Sequence, residues 1–263
     1  MMFQPKGIGE LLDNTFSLYK RQFKSYVTFA AVGFLLNMLL NIIELVFGLN
    51  LVRATGITII VILGIMIVSF VIWLSMDGGL IKKAAEQILE REISNGEAYR
   101  FGFRKSGKIF LSYLLYGIIV MIGLLLLIIP GIYLMFSFAL ARQALIIEGV
   151  GAWTALKRSR QLIKGSWWRV TWFIFLISAI TIILIYVPFL ILAVLNVWMF
   201  GAGLHGQIVN LILVTIVSCL VVPIPVIACT LLYYDLKVRK ENFDIHTMVD
   251  NLTEAEMPHS SEE

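Results

Sequence analysis

Six apolar stretches constrain this chain more than any other feature: residues 26–48, 57–76, 109–129, 132–147, 170–195 and 207–234. The first alone gives roughly 35 Å of helix, enough to cross a ~30 Å hydrocarbon core with some tilt. Backbone in lipid must satisfy its own hydrogen bonds, so runs of this length span as helices. Composition removes the soluble classes: 59% of residues are hydrophobic, 14% are charged, and mean hydropathy is +0.90. Soluble domains carry about 25% charged residues. The expected fold is an all-α polytopic membrane protein.

Topology follows from charge placement. Lys6, Lys20, Arg21 and Lys24 precede the first span. Seven cations between Lys82 and Lys108 separate the second and third, and six between Arg142 and Arg169 separate the fourth and fifth. Lys237, Arg239 and Lys240 follow the sixth, and the opposite side holds Arg53 alone. Cytoplasmic loops carry the excess of Lys and Arg, so both termini are expected in the cytoplasm. The chain then reads as three transmembrane hairpins, each preceded by a basic, aromatic-rich cytoplasmic segment. Residues 1–244 form the membrane domain, and the acidic tail 245–263 has the composition of a disordered segment.

The cytoplasmic segments read as interfacial amphipathic helices. In residues 7–24, Ile8, Leu11, Leu12, Phe16 and Tyr19 share one face, and the charged residues take the other. That pattern equally suits a helix packed on the rest of the protein. Ser94 and Glu97 have capping-box spacing, and Lys82 and Glu86 an i,i+4 pairing. Residues 97–108 alternate aromatic and basic residues, which beside a bilayer indicates snorkelling at the interface rather than nucleic-acid binding. In Gly149–Trp172, Lys157, Arg160, Gln161 and Lys164 fall opposite Trp153, Leu156 and Ile163, followed by Trp167, Trp168 and Trp172. Lys157, Arg160 and Lys164 are therefore candidates for contact with anionic headgroups. Arg142 sits about five residues from its span's cytoplasmic end and is expected to snorkel.

Within the spans, Gly33, Asn37, Asn41, Glu44 and Gly48 form one helical stripe. Glu44 reads as the only acid well inside a span, with Arg53 as its outer charge partner and Gln207 and Asn210 as possible neighbours. The stripe suits either a polar path or helix–helix contacts through small residues and amides. Cys219 and Cys229 have neither zinc nor redox spacing, and no P-loop, HExxH or GxSxG is present. No catalytic, cofactor or metal residues are assigned. Pro188 is expected to kink the fifth span, and Pro223 with Pro225 to kink or split the sixth.

Three stretches carry a family resemblance: Gly7-Ile-Gly9-Glu10-Leu-Leu-Asp13 with Lys20-Arg21; Glu148-Gly149 with Trp153, Arg158-Ser159, Gly165 and Trp168-Arg169; and Leu232-Tyr233-Tyr234-Asp235-Leu236-Lys237-Val238-Arg239-Lys240-Glu241. Together they resemble the glycerophosphodiester phosphodiesterase membrane-domain family, here without the phosphodiesterase barrel. Asn242 stands where that family usually has glycine. The resemblance implies a bacterial cytoplasmic membrane protein and adds no catalytic residue. The expected function is non-enzymatic: a scaffold or accessory subunit contacting lipid headgroups and partner membrane proteins, with a transporter or permease-like component as the alternative.

Overall fold

A computed structural model of the chain describes residues 6–48, 56–200 and 203–241. Arg53 and the tail 245–263 lie outside the described residues. Within them the chain is all-helical: α1 (Ile8–Arg21), α2 (Phe23–Gly48), α3 (Gly56–Ile88), α4 (Asn95–Leu126), α5 (Ile128–Ser137), α6 (Ala141–Ile147), α7 (Ala152–Ile163), α8 (Trp167–Phe200), α9 (Leu204–Val221) and α10 (Pro223–Glu241). Six segments are long and apolar enough to cross a membrane: Phe23–Leu45, Ile59–Ile88, Asn95–Leu126, Ile128–Ile147, Trp167–Asn196 and Leu204–Glu241. Chain neighbours pack together, α2 on α3, α4 on α5 and α8 on α9, while α3 lies along α4 and α2 along α9.

The second span does not stop at Met76. α3 continues through Asp77-Gly78-Gly79 to Ile88, because those glycines serve close approach rather than a break. A Cβ on Gly79 would lie 2.8 Å from the Ala98 carbonyl oxygen, and one on Gly102 would lie 1.9 Å from that of Ser75. Here α3 and α4 cross almost backbone to backbone, which only residues without side chains permit. The third span likewise starts early, at the Ser94 cap. Ser94 Oγ accepts from the Glu97 N–H at 3.2 Å, and the Glu97 carboxylate accepts from the Ser94 N–H at 3.0 Å, as the capping-box spacing predicts.

The α4–α5 turn falls at Leu127, whose extended backbone ends α4; Pro130 then sits in the first turn of α5, where its missing N–H costs no helical bond. The fourth span, expected as one helix over 132–147, is two. α5 and α6 are separated by residues 138–140, and Ser159 of α7 closes the gap. Ser159 Oγ accepts from the Leu140 N–H at 3.2 Å and donates to the Ser137 carbonyl at 3.0 Å. The sixth span is also split: α9 ends at Val221 and α10 begins at Pro223. Proline frees helical carbonyls at such a break, and the Tyr19 hydroxyl of α1 donates to the Leu220 carbonyl there at 2.6 Å. Burial pushes the Tyr19 phenol above its ordinary pKa, so it stays a neutral donor. Pro188 lies inside a continuous α8.

The amphipathic segments bury their apolar sides against protein. Leu11, Thr15, Leu18 and Tyr19 of α1 are buried, with α10 as the main neighbour, and Glu10, Asp13, Lys20 and Arg21 stay exposed. On α7, Leu156 and Ile163 join Ala152, Ala155, Ser159 and Leu162 in the interior. Trp153 instead shares the exposed face, with the Lys157 ammonium 5.8 Å from its ring centroid. This corrects its placement on the apolar side. Gly149 and Gly165, which flank α7, have φ of +68° and +87°, conformations that side chains resist.

Candidate functional site

The unbroken α3 and the split α5–α6 together build a polar centre inside the bundle. Asp77 comes from α3, Tyr113 from α4 and Arg142 from the first turn of α6. Arg142 Nη1 donates to Asp77 Oδ1 at 2.7 Å and also to the Tyr113 hydroxyl oxygen, and that hydroxyl donates to Asp77 Oδ2 at 3.2 Å. The guanidinium carbon lies 5.1 Å from the Tyr113 ring centroid, and Trp73 packs on the same ring at 5.2 Å. These groups line a cavity of about 380 Å³, whose remaining walls include Ile174 and Ile177 of α8 and Val226 of α10. One sequence reading changes: Arg142 does not simply snorkel but pairs with Asp77, an acid 65 residues earlier. Asp77 lies one residue beyond the apolar run 57–76, and the continuation of α3 past that run sets it opposite Arg142.

Both oxygens of Asp77 accept hydrogen bonds. Both Asp77 and Arg142 line the cavity; the side chain of Asp77 is 9% exposed and that of Arg142 31%. Ser112, on the same wall, is 1% exposed, and its hydroxyl has no hydrogen-bond partner among the described residues.

A second polar centre lies where α6, α7 and α10 meet. Glu148 accepts from the Tyr233 hydroxyl at 2.6 Å, from Arg158 Nε at 2.9 and 3.0 Å, and pairs with the Lys237 ammonium at 3.1 Å. Arg158 also reaches Glu241 at 2.5 Å. Burial alone would raise the Glu148 carboxyl, but the Tyr233 hydrogen bond, the Lys237 charge and the Arg158 bonds outweigh it and hold the group below its ordinary range. Burial pulls the other way on Arg158, and its two carboxylate partners keep it above its ordinary value.

Beside this centre, Asp235 accepts from Arg169 and Arg239 at 2.9 Å each and from the Lys6 N–H at 2.9 Å. The Lys240 ammonium donates to the Gln161 carbonyl at 2.8 Å and to that of Lys164, which closes the C-terminus of α7. The tail residues Tyr233, Asp235, Lys237, Arg239, Lys240 and Glu241 thus all make internal contacts.

Of the residues named from sequence, Lys157, Arg160 and Lys164 are exposed together on the outer side of α7. Trp168 and Trp172 are exposed too, whereas Trp167 turns inward and donates to the Tyr133 carbonyl at 3.3 Å. Asn37 and Asn41 donate their amides to carbonyls of their own helix, Gly33 at 3.1 Å and Asn37 at 2.7 Å. Glu44 is half-buried. Asn41, Gln207 and Asn210 line one open cleft between α2 and α9. Cys219 and Cys229 are free thiols, and among the described residues no cluster of His, Cys, Asp and Glu is arranged to hold a metal ion.

A family model described as Domain of unknown function (DUF7847) matches residues 97–236. The matched segment includes Tyr113, Arg142, Glu148, Arg158, Arg169, Tyr233 and Asp235. No curated protein and no solved structure matches the chain.

Proposed function

The chain belongs to the DUF7847 family, and from that premise we propose that it is a non-enzymatic, multi-pass protein of a bacterial cytoplasmic membrane. In this reading it is a scaffold or accessory subunit whose cytoplasmic face engages anionic headgroups and partner membrane proteins. The observation that carries it is the outer face of α7. Its apolar side is filled by the protein, yet Lys157, Arg160 and Lys164 stand exposed beside Trp153. Aromatic rings and cations so placed suit the headgroup layer. The resemblance to the glycerophosphodiester phosphodiesterase membrane-domain family is part of the proposal. The ion-pair network supplies a structural reason for the tail residues that carry it, independent of any activity. The permease-like alternative would use the first-span stripe of Asn37, Asn41 and Glu44, of which Asn41 lines a cleft with Gln207 and Asn210. The scaffold is favoured because the Asn37 and Asn41 amides bond to their own helix rather than across it.

In nanodiscs of mixed lipid, anionic lipid should be enriched around the protein. Each Lys or Arg near such a surface contributes about 1 kcal/mol. Changing Lys157, Arg160 and Lys164 together to Gln should therefore remove most of that enrichment, as read by mass spectrometry of the lipid shell. Enrichment equal to wild type would count against the α7 face as the contact.

The three-hairpin topology with cytoplasmic termini belongs to the same proposal and is motivated by the placement of 20 of the 21 Lys and Arg on one side. Reporter fusions at Gly201 and at the C-terminus should give opposite sidedness. The same sidedness for both would remove the six-span orientation.

A further inference from the structure

Arg142 carries more hydrogen-bonding capacity than its partners use. A guanidinium has five N–H donors. Nη1 serves Asp77 and Tyr113, and among the described residues no bond goes to Nε or Nη2. Three donors of a fixed cation therefore remain on a side chain that lines a cavity of about 380 Å³. Each oxygen of Asp77 already has a partner, Arg142 on Oδ1 and Tyr113 on Oδ2, whereas three of the Arg142 donors have none among the described residues. The unused hydrogen-bonding capacity of Arg142 is donor-only. The unpartnered, buried Ser112 hydroxyl on the same wall adds a further donor. A planar fork of this kind is complementary to an oxyanion.

The rest of the cavity says where the oxyanion comes from. Trp73 and Ser178 are its exposed members, and both sit within membrane-spanning helices, so the mouth opens on the flank of the spans. Ile174, Ile177, Val222 and Val226 supply apolar walls beyond the charged end. A free hydrated anion gains nothing from such walls, whereas an alkyl chain does, at about 0.8 kcal/mol per buried methylene.

We propose that the cavity between α3, α4, α6, α8 and α10 binds a membrane amphiphile by its oxyanionic headgroup, held by Nε and Nη2 of Arg142. This site is separate from the α7 face and goes beyond the headgroup contact proposed for it.

The test is native mass spectrometry of the full-length protein in neutral detergent, titrated with dodecyl phosphate. One molecule should bind per chain. Arg142→Lys keeps the charge beside Asp77 but removes the fork, and should weaken binding at least about tenfold. The double variant Asp77→Asn/Arg142→Gln leaves no unpaired buried charge and should abolish it. Ser178→Trp at the exposed mouth should block entry while leaving the ion pair intact, which covers the case in which the other variants misfold. Lys157, Arg160 and Lys164 changed to Gln should leave this single site unaltered, so its failure and that of the α7 face can be told apart. Unchanged binding in folded Arg142→Lys and double variants would overturn the proposal. So would equal binding of dodecyltrimethylammonium, which would mean an apolar groove without oxyanion recognition. Displacement by an equal concentration of inorganic phosphate would overturn the amphiphile as the source and leave a free oxyanion as the ligand.

Discussion

Glu148→Ala is expected to lower stability by about 3 kcal/mol. Removing one partner of a buried ion pair costs roughly 3–5 kcal/mol, because the remaining charge is left uncompensated. Three groups lose a contact with this carboxylate at once: the Tyr233 hydroxyl, Arg158 Nε and the Lys237 ammonium. The low end of the range applies because Arg158 keeps Glu241 and stays 23% exposed. Denaturant titration in detergent micelles gives the measurement, and new tryptic cleavage after Arg158 or Lys237 would report where the structure opens. Loss below about 1 kcal/mol would mean that the cluster is solvated and contributes little.

The same residue predicts a pH dependence. The folded carboxyl lies below its ordinary value of 4.5. A depressed acid contributes stability that is fully present above its unfolded value and is lost as pH falls through the folded one. The advantage of wild type over Glu148→Gln should therefore be constant above pH 4.5 and shrink progressively below it. An advantage that grew on acidification would contradict the assigned ionic contacts.

Gly102→Ala should be at least as damaging, through sterics rather than charge. The new Cβ would lie 1.9 Å from the Ser75 carbonyl oxygen and 2.9 Å from the Gly79 nitrogen. Both are backbone atoms of α3, so no rotamer can relieve the clash; the helices must separate. Overpacking typically costs about 1–3 kcal/mol, and more where the backbone must move. Separation would also displace Asp77 from Arg142, so the cavity should be lost with the crossing. Gly107→Ala on the same helix is the control. Its Cβ meets nothing within 4 Å, and alanine favours helix over glycine by about 1 kcal/mol. One substitution type should thus give opposite signs five residues apart, as read from thermal melts in detergent. Equal effects would mean that the α3–α4 crossing is looser than described.

The two halves of this picture have different origins. Apolar run length and the Ser94–Glu97 cap were legible because they depend only on neighbours along one helix. Lipid imposes a one-dimensional requirement, about 20 apolar residues per crossing, that any chain displays directly. The proline split of the sixth span was readable for the same reason, since a missing N–H acts within its own helix. The stripe through Asn37, Asn41 and Glu44 was arithmetically real, but helical phase does not say where an amide donates. Two of these amides turned to carbonyls one turn back.

What tertiary structure alone decided are the meetings of distant residues. Gly78-Gly79 marks locally only the end of the apolar run at Met76. Only the approach of Gly102 makes it a crossing point, carries α3 on, and leaves Asp77 facing Arg142. Glu148 finds Tyr233 from 85 residues away, and Asp235 gathers Lys6 and Arg169 from across the chain. No periodicity encodes such pairs, because the energy that selects them is the cost of leaving a charge unpaired once packing has removed its water. The sequence by itself determined that this protein is helical and suited to a membrane. Packing decided which of its charges face one another and where a cavity remains beside them.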